Sequence, residues 1–142
     1  MATSTRRRPV RPEDLRCFQT VSDPQISPDG ETILFRRAVA SADKAGRTDS
    51  SIWCVAASGG APRAFTGGTA DRMARWSPDG SEVAFVRSST PDTPQIHTIA
   101  ADGGEASPLT AFPAGTIGSF RWSPDGRSLA VAFRETDPEW TE

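Results

Sequence analysis

Short apolar runs recur along the chain, each separated from the next by polar, glycine or proline residues. The clearest runs are residues 32–35, 82–86 and 128–133, in which both alternating positions carry apolar side chains. Apolar residues on both faces are typical of a strand covered on both sides by stacked sheets. No run approaches the roughly 18–20 residues that a membrane-spanning helix needs. The pattern therefore predicts an all-β protein without a membrane span.

The tetrapeptide Ser-Pro-Asp-Gly occurs three times, and its copies are 50 and 46 residues apart. Proline presets φ at the second position, aspartate bonds back to nearby backbone, and glycine accepts the positive φ that closes a hairpin. Three copies at a nearly constant spacing indicate a repeated structural unit. The residues that we assign to these turns are Ser27, Pro28, Asp29 and Gly30; Ser77, Pro78, Asp79 and Gly80; and Ser123, Pro124, Asp125 and Gly126.

A second hairpin repeats as well. Residues 52–66 align with residues 96–110 at an offset of 44, and each segment reads as strand, Gly-Gly turn, strand. Two hairpins per period give four antiparallel strands in 46–50 residues, which is the size of a β-propeller blade. An immunoglobulin-like sandwich would have the strand density but no reason to repeat at this length. The glycines that we assign to these turns are Gly59, Gly60, Gly103 and Gly104.

We therefore predict a partial β-propeller of four-stranded antiparallel blades, about two and a half blades long. Blade one spans about 22–70, blade two about 71–117, and the first hairpin of blade three about 118–136. Large aromatic residues recur in register with the turns, and we expect them to pack between blades. They are Trp53, Trp76, Trp122, Phe35 and Phe85.

The termini and the charge narrow the partners and the compartment. We expect residues 1–11 to form a flexible arm before a propeller segment of residues 12–142, with at most a short helical turn started by Pro12. The net charge is −2, which argues against nucleic-acid binding, and we interpret Arg6-Arg7-Arg8 as a solvated terminus rather than a contact for an acidic surface. No export signal follows it, and Cys17 and Cys54 have no metal-type spacing. We predict a cytoplasmic protein.

Candidate catalytic residues are few. The G-x-S-x-G pentapeptide of a nucleophile elbow does not occur, and Ser119, which follows Gly118, is the nearest approach to it. The only histidine, His97, would have to serve any Ser-His-Asp set. It aligns with Trp53 on a predicted strand, where a structural ring is the simpler interpretation. We therefore predict no catalytic residue within this sequence.

Metal and phosphate sites have equally simple alternatives. Asp29, Asp79 and Asp125 could be imagined as metal ligands, but each belongs to its own turn, about one blade from the next. The two Gly-Gly segments could cradle a phosphate only if a helix followed them, and each precedes a strand. The sequence predicts neither a metal nor a cofactor.

The residues Pro12-Glu13-Asp14-Leu15, the segment 21–30 (Val-Ser-Asp-Pro-Gln-Ile-Ser-Pro-Asp-Gly) and the later turns carry a family resemblance. Over about residues 12–142 the chain resembles the N-terminal propeller of the prolyl oligopeptidase family of serine peptidases, especially its acylaminoacyl-peptidase and dipeptidyl-peptidase-like branch. The resemblance implies a propeller that covers a C-terminal α/β-hydrolase domain and restricts the access of large substrates. It implies that the catalytic residues lie in that second domain. The expected partners are that domain, the remaining blades and, indirectly, peptide substrates.

Another function class stays open, because the propeller protein of the bacterial Tol system carries the same kind of repeat. The alternative is therefore a scaffold for protein–protein interaction. A downstream G-x-S-x-G would favour the peptidase, and export would favour the scaffold. In either case we expect the chain to self-associate, because the strand 129–133 would present an unpaired edge and blade one would expose Ile33 and Phe35.

Overall fold

The computed structural model describes residues 8–41, 46–137 and 139. Most of the expected N-terminal arm, with Arg6 and Arg7, lies outside the described residues. A 3-10 helix at Pro12–Cys17 precedes the first strand, which confirms the predicted helical turn. Within the described part of the chain, no helix is long and apolar enough to cross a membrane.

Ten strands form two four-stranded sheets and one hairpin in the described residues, and every strand pair within them is antiparallel. The strands follow one another in each sheet in chain order. Blade one contains β1 (Gln19–Ile26), β2 (Thr32–Ala40), β3 (Thr48–Ala56) and β4 (Arg63–Ala64). Blade two contains β5 (Asp71–Trp76), β6 (Glu82–Ser88), β7 (Pro94–Ala100) and β8 (Ser107–Pro108). The third hairpin contains β9 (Gly115–Trp122) and β10 (Leu129–Glu135).

The first strands of the two complete blades are bent at the same place in the repeat. The register of β1 on β2 shifts between Ser22 and Gln25, and that of β5 on β6 shifts between Arg72 and Arg75. A bulge of this kind bends its strand and increases the local twist. Asp23 (φ 52°) and Met73 (φ 57°) lie inside these bulges, and they are the non-glycine residues with positive φ in the described part of the chain.

Alternate side chains of each strand serve two different blade interfaces. On β6, Val83 and Phe85 face blade one, whereas Ala84 and Val86 face the third hairpin. The core between blades one and two consists of Leu34, Ile52, Cys54, Phe65, Ala74, Val83, Phe85 and Ile99. The core between blade two and the third hairpin consists of Ala84, Val86, Ile96, Ile117 and Phe120. Because residues 83–86 of β6 are buried on both faces of the sheet, this apolar run shows no alternation.

The first strands lie where the sheets converge, since β1 contacts β5 and β5 contacts β9. In a β-propeller the blades surround a central channel. The prediction of an all-β partial propeller with four-stranded antiparallel blades is confirmed. The division into an arm and a propeller segment stays a prediction.

The open face of blade one corrects one expectation. Ile33 and Phe35 are half-buried rather than exposed, because they lie on the second strand between side chains of β1 and β3, and the 3-10 helix lies against β2. The exposed apolar groups of this face are instead on β1, where Val21 is 66% and Ile26 61% exposed. A first strand has a neighbour on one side only, so its side chains keep more of their surface.

Candidate functional site

The three Ser-Pro-Asp-Gly turns share one hydrogen-bond network. In the second turn the Ser77 hydroxyl donates to Asp79 at 2.7 Å, and the backbone N–H of Ser81 donates to the same carboxylate at 3.0 Å. The Gly80 N–H donates to the Ser77 carbonyl at 2.9 Å. Asp29 and Asp125 accept the corresponding bonds in the first and third turns. The serine and aspartate side chains therefore hydrogen-bond to each other and to backbone N–H groups of the turn, while the proline and the glycine adopt the φ values that the turn needs.

These bonds stabilise the charged form of each turn carboxylate. The Ser77 hydroxyl and the backbone N–H of Ser81 lower the pKa of Asp79 to about 2. The pKa values of Asp29 and Asp125 are lowered for the same reasons, first by the serine hydroxyl and then by a backbone N–H. The described residues contain no group of three or more His, Cys, Asp or Glu side chains that could hold a metal ion.

Successive turns lie against one another, so they also mark the blade interfaces. Gly80 has φ +73°, and a Cβ built on it would lie 3.4 Å from Cδ of Pro28 in the preceding turn. Gly126 has φ +69°, and its Cβ would lie 3.5 Å from Cδ of Pro78. The positive φ is therefore what requires glycine in the second and third turns, and the preceding turn lies at van der Waals distance from each of them.

The Gly-Gly turns connect the outer strands of each blade. Gly59 and Gly60 have φ values of 102° and 122°, and Gly103 and Gly104 have φ values of 100° and 118°. The N–H of Gly59 donates to the Ala56 carbonyl at 2.9 Å. Both turns join strands of one sheet, β3 to β4 and β7 to β8, and the arrangement has no helix that could complete a phosphate site.

A ladder of polar contacts joins the first strands of neighbouring blades. Arg75 Nη1 lies 2.9 Å from Asp23 Oδ2 and 3.1 Å from Oδ1, and both side chains are half-buried. The indole N–H of Trp76 donates to the Gln25 carbonyl at 3.4 Å. One blade further on, the indole N–H of Trp122 donates to the Arg75 carbonyl at 3.1 Å. Each tryptophan therefore ties its blade to the backbone of the preceding one.

A second ion pair lies at the other end of the interface between blades one and two. Asp71 is fully buried, and its carboxylate accepts hydrogen bonds from Arg87 Nε at 2.7 Å and Nη2 at 2.8 Å. The Gly68 N–H also donates to it at 3.2 Å, and the Ser50 hydroxyl donates to the Asp71 carbonyl at 2.9 Å. The hydrogen bonds from Arg87 to the Asp71 carboxylate raise the pKa of Arg87. A cleft of about 470 Å³ adjoins the pair and is lined by Thr66–Ala70, Arg87–Ser89, Ile99 and Gly104–Ala106.

The aromatic residues assigned to blade packing lie in different surroundings. Phe85 is in the core between blades one and two, and Trp76 packs against that core. Trp122 packs against the core beside the third hairpin. Trp53 and Phe35 are paired across β3 and β2 on the open face of blade one, where the Arg37 guanidinium lies 4.3 Å from the centre of the Trp53 ring.

The structure does not bring His97 and Ser119 together as a catalytic pair. His97 stacks on Phe85 with ring centres 5.9 Å apart, and its buried Nδ1 has no hydrogen-bond partner among the described residues. Ser119 lies on β9 opposite Ala132 and makes no side-chain hydrogen bond to His97. Neither residue has the geometry of a nucleophile with its base.

The sequence analysis did not predict the Asp23–Arg75 and Asp71–Arg87 ion pairs, although the repeat indicates that Asp71 is unusual. Asp71 stands where the other two copies of the repeat have Val21 and Ile117. The position is apolar in both other copies and buried in the third hairpin, and a carboxylate that is buried there requires a charged partner. Arg87 is that partner, but only the pairing of β5 with β6 identifies it.

Comparison with known proteins relates the chain to peptidases. No protein-family model matches it. The chain is 33% identical over 123 residues to the uncharacterized peptidase YuxL of Bacillus subtilis (strain 168), covering 86% of this chain and 18% of that protein. Acylaminoacyl peptidase of Pyrococcus horikoshii superposes with a TM-score of 0.67 at 22% identity, over 82% of this chain and 17% of the enzyme. The β-propeller domain of the Trilobed protease of Pyrococcus furiosus gives 0.63 at 23% identity, over 80% of this chain and 34% of that domain.

The chain is a β-propeller segment that is similar in sequence to part of a peptidase. It spans less than a fifth of the length of the peptidase that it matches in sequence. The propeller segment also superposes on TolB from Acinetobacter baumannii with a TM-score of 0.62 at 24% identity, over 80% of this chain and 26% of that protein. At this identity the likeness to the solved structures concerns the fold alone.

Proposed function

We propose that this propeller segment belongs to a serine peptidase that cleaves short peptides, and that its blades restrict the access of large substrates to a C-terminal α/β-hydrolase domain. The observation that carries the proposal is the 33% identity to a peptidase over 86% of the chain. The similarity to TolB concerns the fold alone, whereas the similarity to the Bacillus subtilis peptidase is one of sequence.

The contacts between blades support a filtering role. Two and a half blades converge at their first strands, and in a ring these strands would surround the channel. The Asp23–Arg75 ion pair and the Trp76 and Trp122 indole bonds hold adjacent first strands together. These bonds at the two interfaces of the described blades oppose widening of the channel, so its diameter would limit the size of what passes.

The same proposal assigns the partners and the compartment. The open face of blade one and the unpaired strand β10 would contact the remaining blades, and the ring would contact the hydrolase domain. In this proposal peptide substrates pass the blades without reacting there, and the reacting residues belong to the hydrolase domain. We place the protein in the cytoplasm, where Cys17 and Cys54 stay reduced, in agreement with their being unpaired.

A chimera tests this function. The segment of the Bacillus subtilis peptidase that aligns with this chain is replaced by the chain itself, and hydrolysis of a short acyl-peptide is compared with hydrolysis of unfolded casein. We expect the chimera to cleave the short substrate and to exclude casein. Arg75→Ala in the chimera should raise casein cleavage relative to short-peptide cleavage, whereas Arg127→Ala, at an exposed turn position, should not. A folded chimera in which Arg75→Ala leaves this ratio unchanged would contradict the filtering role.

The alternative is a propeller scaffold for protein–protein interaction, which the superposition on TolB favours. Two observations separate the alternatives. A G-x-S-x-G about 300 residues or more downstream in the same reading frame supports the peptidase. Export of the protein supports the scaffold.

A further inference from the structure

The two connections that lead from one blade to the next begin alike and differ two residues later. Thr66 and Thr110 occupy equivalent positions, and each hydroxyl oxygen accepts a backbone N–H from the third strand of its blade, at 3.1 and 2.9 Å. Two positions further on, the first connection has Gly68 and the second has Phe112. A glycine therefore stands in the first connection where the second has an aromatic residue.

Phe112 places its ring at the interface between blade two and the third hairpin. The ring stacks on that of Phe133, with ring centres 4.6 Å apart and an angle of 12° between the ring planes. Both side chains pack against the core of this interface. The second interface thus contains an aromatic ring that the chain itself supplies.

The corresponding place in the first interface is a cleft. Arg87 is the equivalent of Phe133, since each stands seven residues after the glycine of a Ser-Pro-Asp-Gly turn. Arg87 lines the cleft of about 470 Å³ together with the connection Thr66–Ala70. Gly68 has no side chain to fill it, and a Cβ at this position would overlap the Asp71 carboxylate. The place that is filled beside Phe133 is therefore open beside Arg87.

The surface of the cleft at Arg87 suits a neutral aromatic ring. The guanidinium lies 5.2 Å from the centre of the Phe85 ring, and a quarter of the arginine side chain is exposed. A planar guanidinium stacks on aromatic faces. Asp71 already neutralises its charge, and Glu105 also lines the cleft, so this surface does not favour an anion. The volume of about 470 Å³ lies within the range of roughly 300–1,000 Å³ that is typical of ligand sites.

We propose that this cleft binds an aromatic side chain of a peptide, which stacks on the Arg87 guanidinium as Phe112 stacks on Phe133. The ligand is a peptide residue because a phenylalanine side chain occupies the equivalent place in the second interface. The cleft also extends to Ile99 and Gly104–Ala106, which leaves room for the neighbouring residues of the peptide. The site goes beyond the proposed function, because it uses no contact with a hydrolase domain.

Two matched peptides test the site on the 142-residue chain. One is acetyl-Gly-Phe-Gly amide, and the other carries cyclohexylalanine in place of phenylalanine. The cyclohexyl ring is of similar size and at least as apolar, but it has no π-system, so stacking on a guanidinium favours the phenylalanine peptide whereas burial alone does not. NMR spectroscopy follows the backbone amide signals of Gly67, Gly68 and Ser89 during each titration.

We expect saturable shifts of these three signals with the phenylalanine peptide, and a Kd about two- to fivefold lower than that of the cyclohexyl peptide. The amide signals of Ala111 and Ala114, in the second connection, should not move, because Phe112 already fills that interface. Equal or tighter binding of the cyclohexyl peptide would overturn the proposal. The absence of saturable shifts at the three cleft residues would overturn it as well.

Two variants separate the stacking from the shape of the cleft. Arg87→Lys keeps a cation beside Asp71 but removes the planar group, so the preference for the phenylalanine peptide should be lost. Phe112→Gly empties the place beside Phe133 and keeps the backbone groups that bond to Gln95, so it should create a second site with new shifts at Ala111 and Ala114.

A preference that persists in Arg87→Lys would overturn the stacking on the guanidinium. A folded Phe112→Gly chain without new shifts would overturn the equivalence of the two interfaces. The peptide pair on the parent chain decides the proposal without either variant. Failure of the chimera to exclude casein does not alter these titrations, so the two proposals fail separately.

Discussion

Asp71 and Arg87 form a two-point ion pair across the first two strands of blade two, with Nε–Oδ1 and Nη2–Oδ2 distances of 2.7 and 2.8 Å. The carboxylate is fully buried, whereas the arginine keeps a quarter of its side chain exposed. The backbone of Asp71 also receives a hydrogen bond from Ser50 of blade one. Asp71 therefore joins β5 to β6 within blade two through its side chain, and joins blade two to blade one through its backbone carbonyl.

Removing this carboxylate should destabilise the chain. Asp71→Ala leaves Arg87 without its partner and the Gly68 N–H without an acceptor. We expect a loss of about 3 kcal/mol in the free energy of unfolding, measured by urea denaturation. Gly68→Ala should act in the same direction, because its Cβ would overlap the carboxylate. Asp92→Ala, an exposed loop aspartate, is the control and should stay near wild type.

The turn carboxylates predict how stability depends on pH. The pKa of Asp79 is about 2 in the folded chain, below the value of about 3.9 in an unfolded one. A lowered pKa in the folded state stabilises it above the unfolded pKa, and this contribution is lost as the pH falls through the folded pKa. Asp29 and Asp125 act in the same direction. The free energy of unfolding should therefore decrease between about pH 4 and pH 2.

Asp79→Asn should make this decrease shallower, since one of the three groups no longer titrates. Urea denaturation at several pH values measures the slope. Asp92→Asn removes an exposed carboxylate without a side-chain hydrogen bond among the described residues, and it should keep the wild-type slope. Identical slopes for Asp79→Asn and the parent chain would show that the turn bonds do not persist in solution.

Gly80→Val should destabilise the chain by about 1–3 kcal/mol, because a β-branched residue is forced to a positive φ. The φ of Gly80 is +73°, and the added side chain would also approach Pro28. Gly67→Val is the matched control, since Gly67 lies outside the positive-φ region and has open space around its Cβ position. Thermal midpoints compare the two variants. Equal thermal midpoints for Gly80→Val and Gly67→Val would show that the positive φ of Gly80 does not strain a β-branched residue.

The 142-residue chain prepared by itself should self-associate through β10. This strand pairs with β9 on one side, and its other edge has no partner strand in the described residues. Ala130 and Ala132 on its exposed face offer no charge against strand addition. Ala132→Lys should shift the chain toward monomer in analytical ultracentrifugation at tens of micromolar, and Ala61→Lys, in an exposed loop, should not. A stable monomer of the parent chain would contradict this prediction.

The chain by itself should not hydrolyse acyl-peptide or dipeptidyl chromogenic substrates, nor react with a fluorophosphonate probe. The reason is that His97 stacks on Phe85 and does not contact Ser119. Turnover that disappears in His97→Ala or Ser119→Ala would show that the two residues act together. Turnover that persists unchanged in both variants would indicate a contaminating hydrolase.

The turns could be predicted from the sequence because their chemistry is local. Within the second Ser-Pro-Asp-Gly turn, the hydrogen bonds join residues no more than five positions apart. A period of 46–50 residues then implied one blade per repeat, and apolar runs without alternation implied strands covered on both faces. The 3-10 helix followed from Pro12, Glu13 and Asp14 in the same local way.

The ion pairs could not be predicted in this way, because their partners meet only when sheets are paired and packed. Asp71 and Arg87 are 16 residues apart, and Asp23 and Arg75 are 52 residues apart. The same holds for Ile33 and Phe35, whose burial depends on the flanking strands and the helix against β2.

The two copies of Arg-Trp-Ser-Pro-Asp-Gly separate what sequence and tertiary structure each decide. Both copies fold into the same turn, with the same conformation of the arginine and the same indole bond, because six identical residues carry the local information. Arg75 is nevertheless paired and half-buried, and Arg121 is exposed. The difference comes from the preceding blade, whose bulge presents Asp23 to Arg75, whereas the equivalent residue of the next bulge is Met73. Local sequence determined the blade, and the contact between blades decided which of its charges is neutralised.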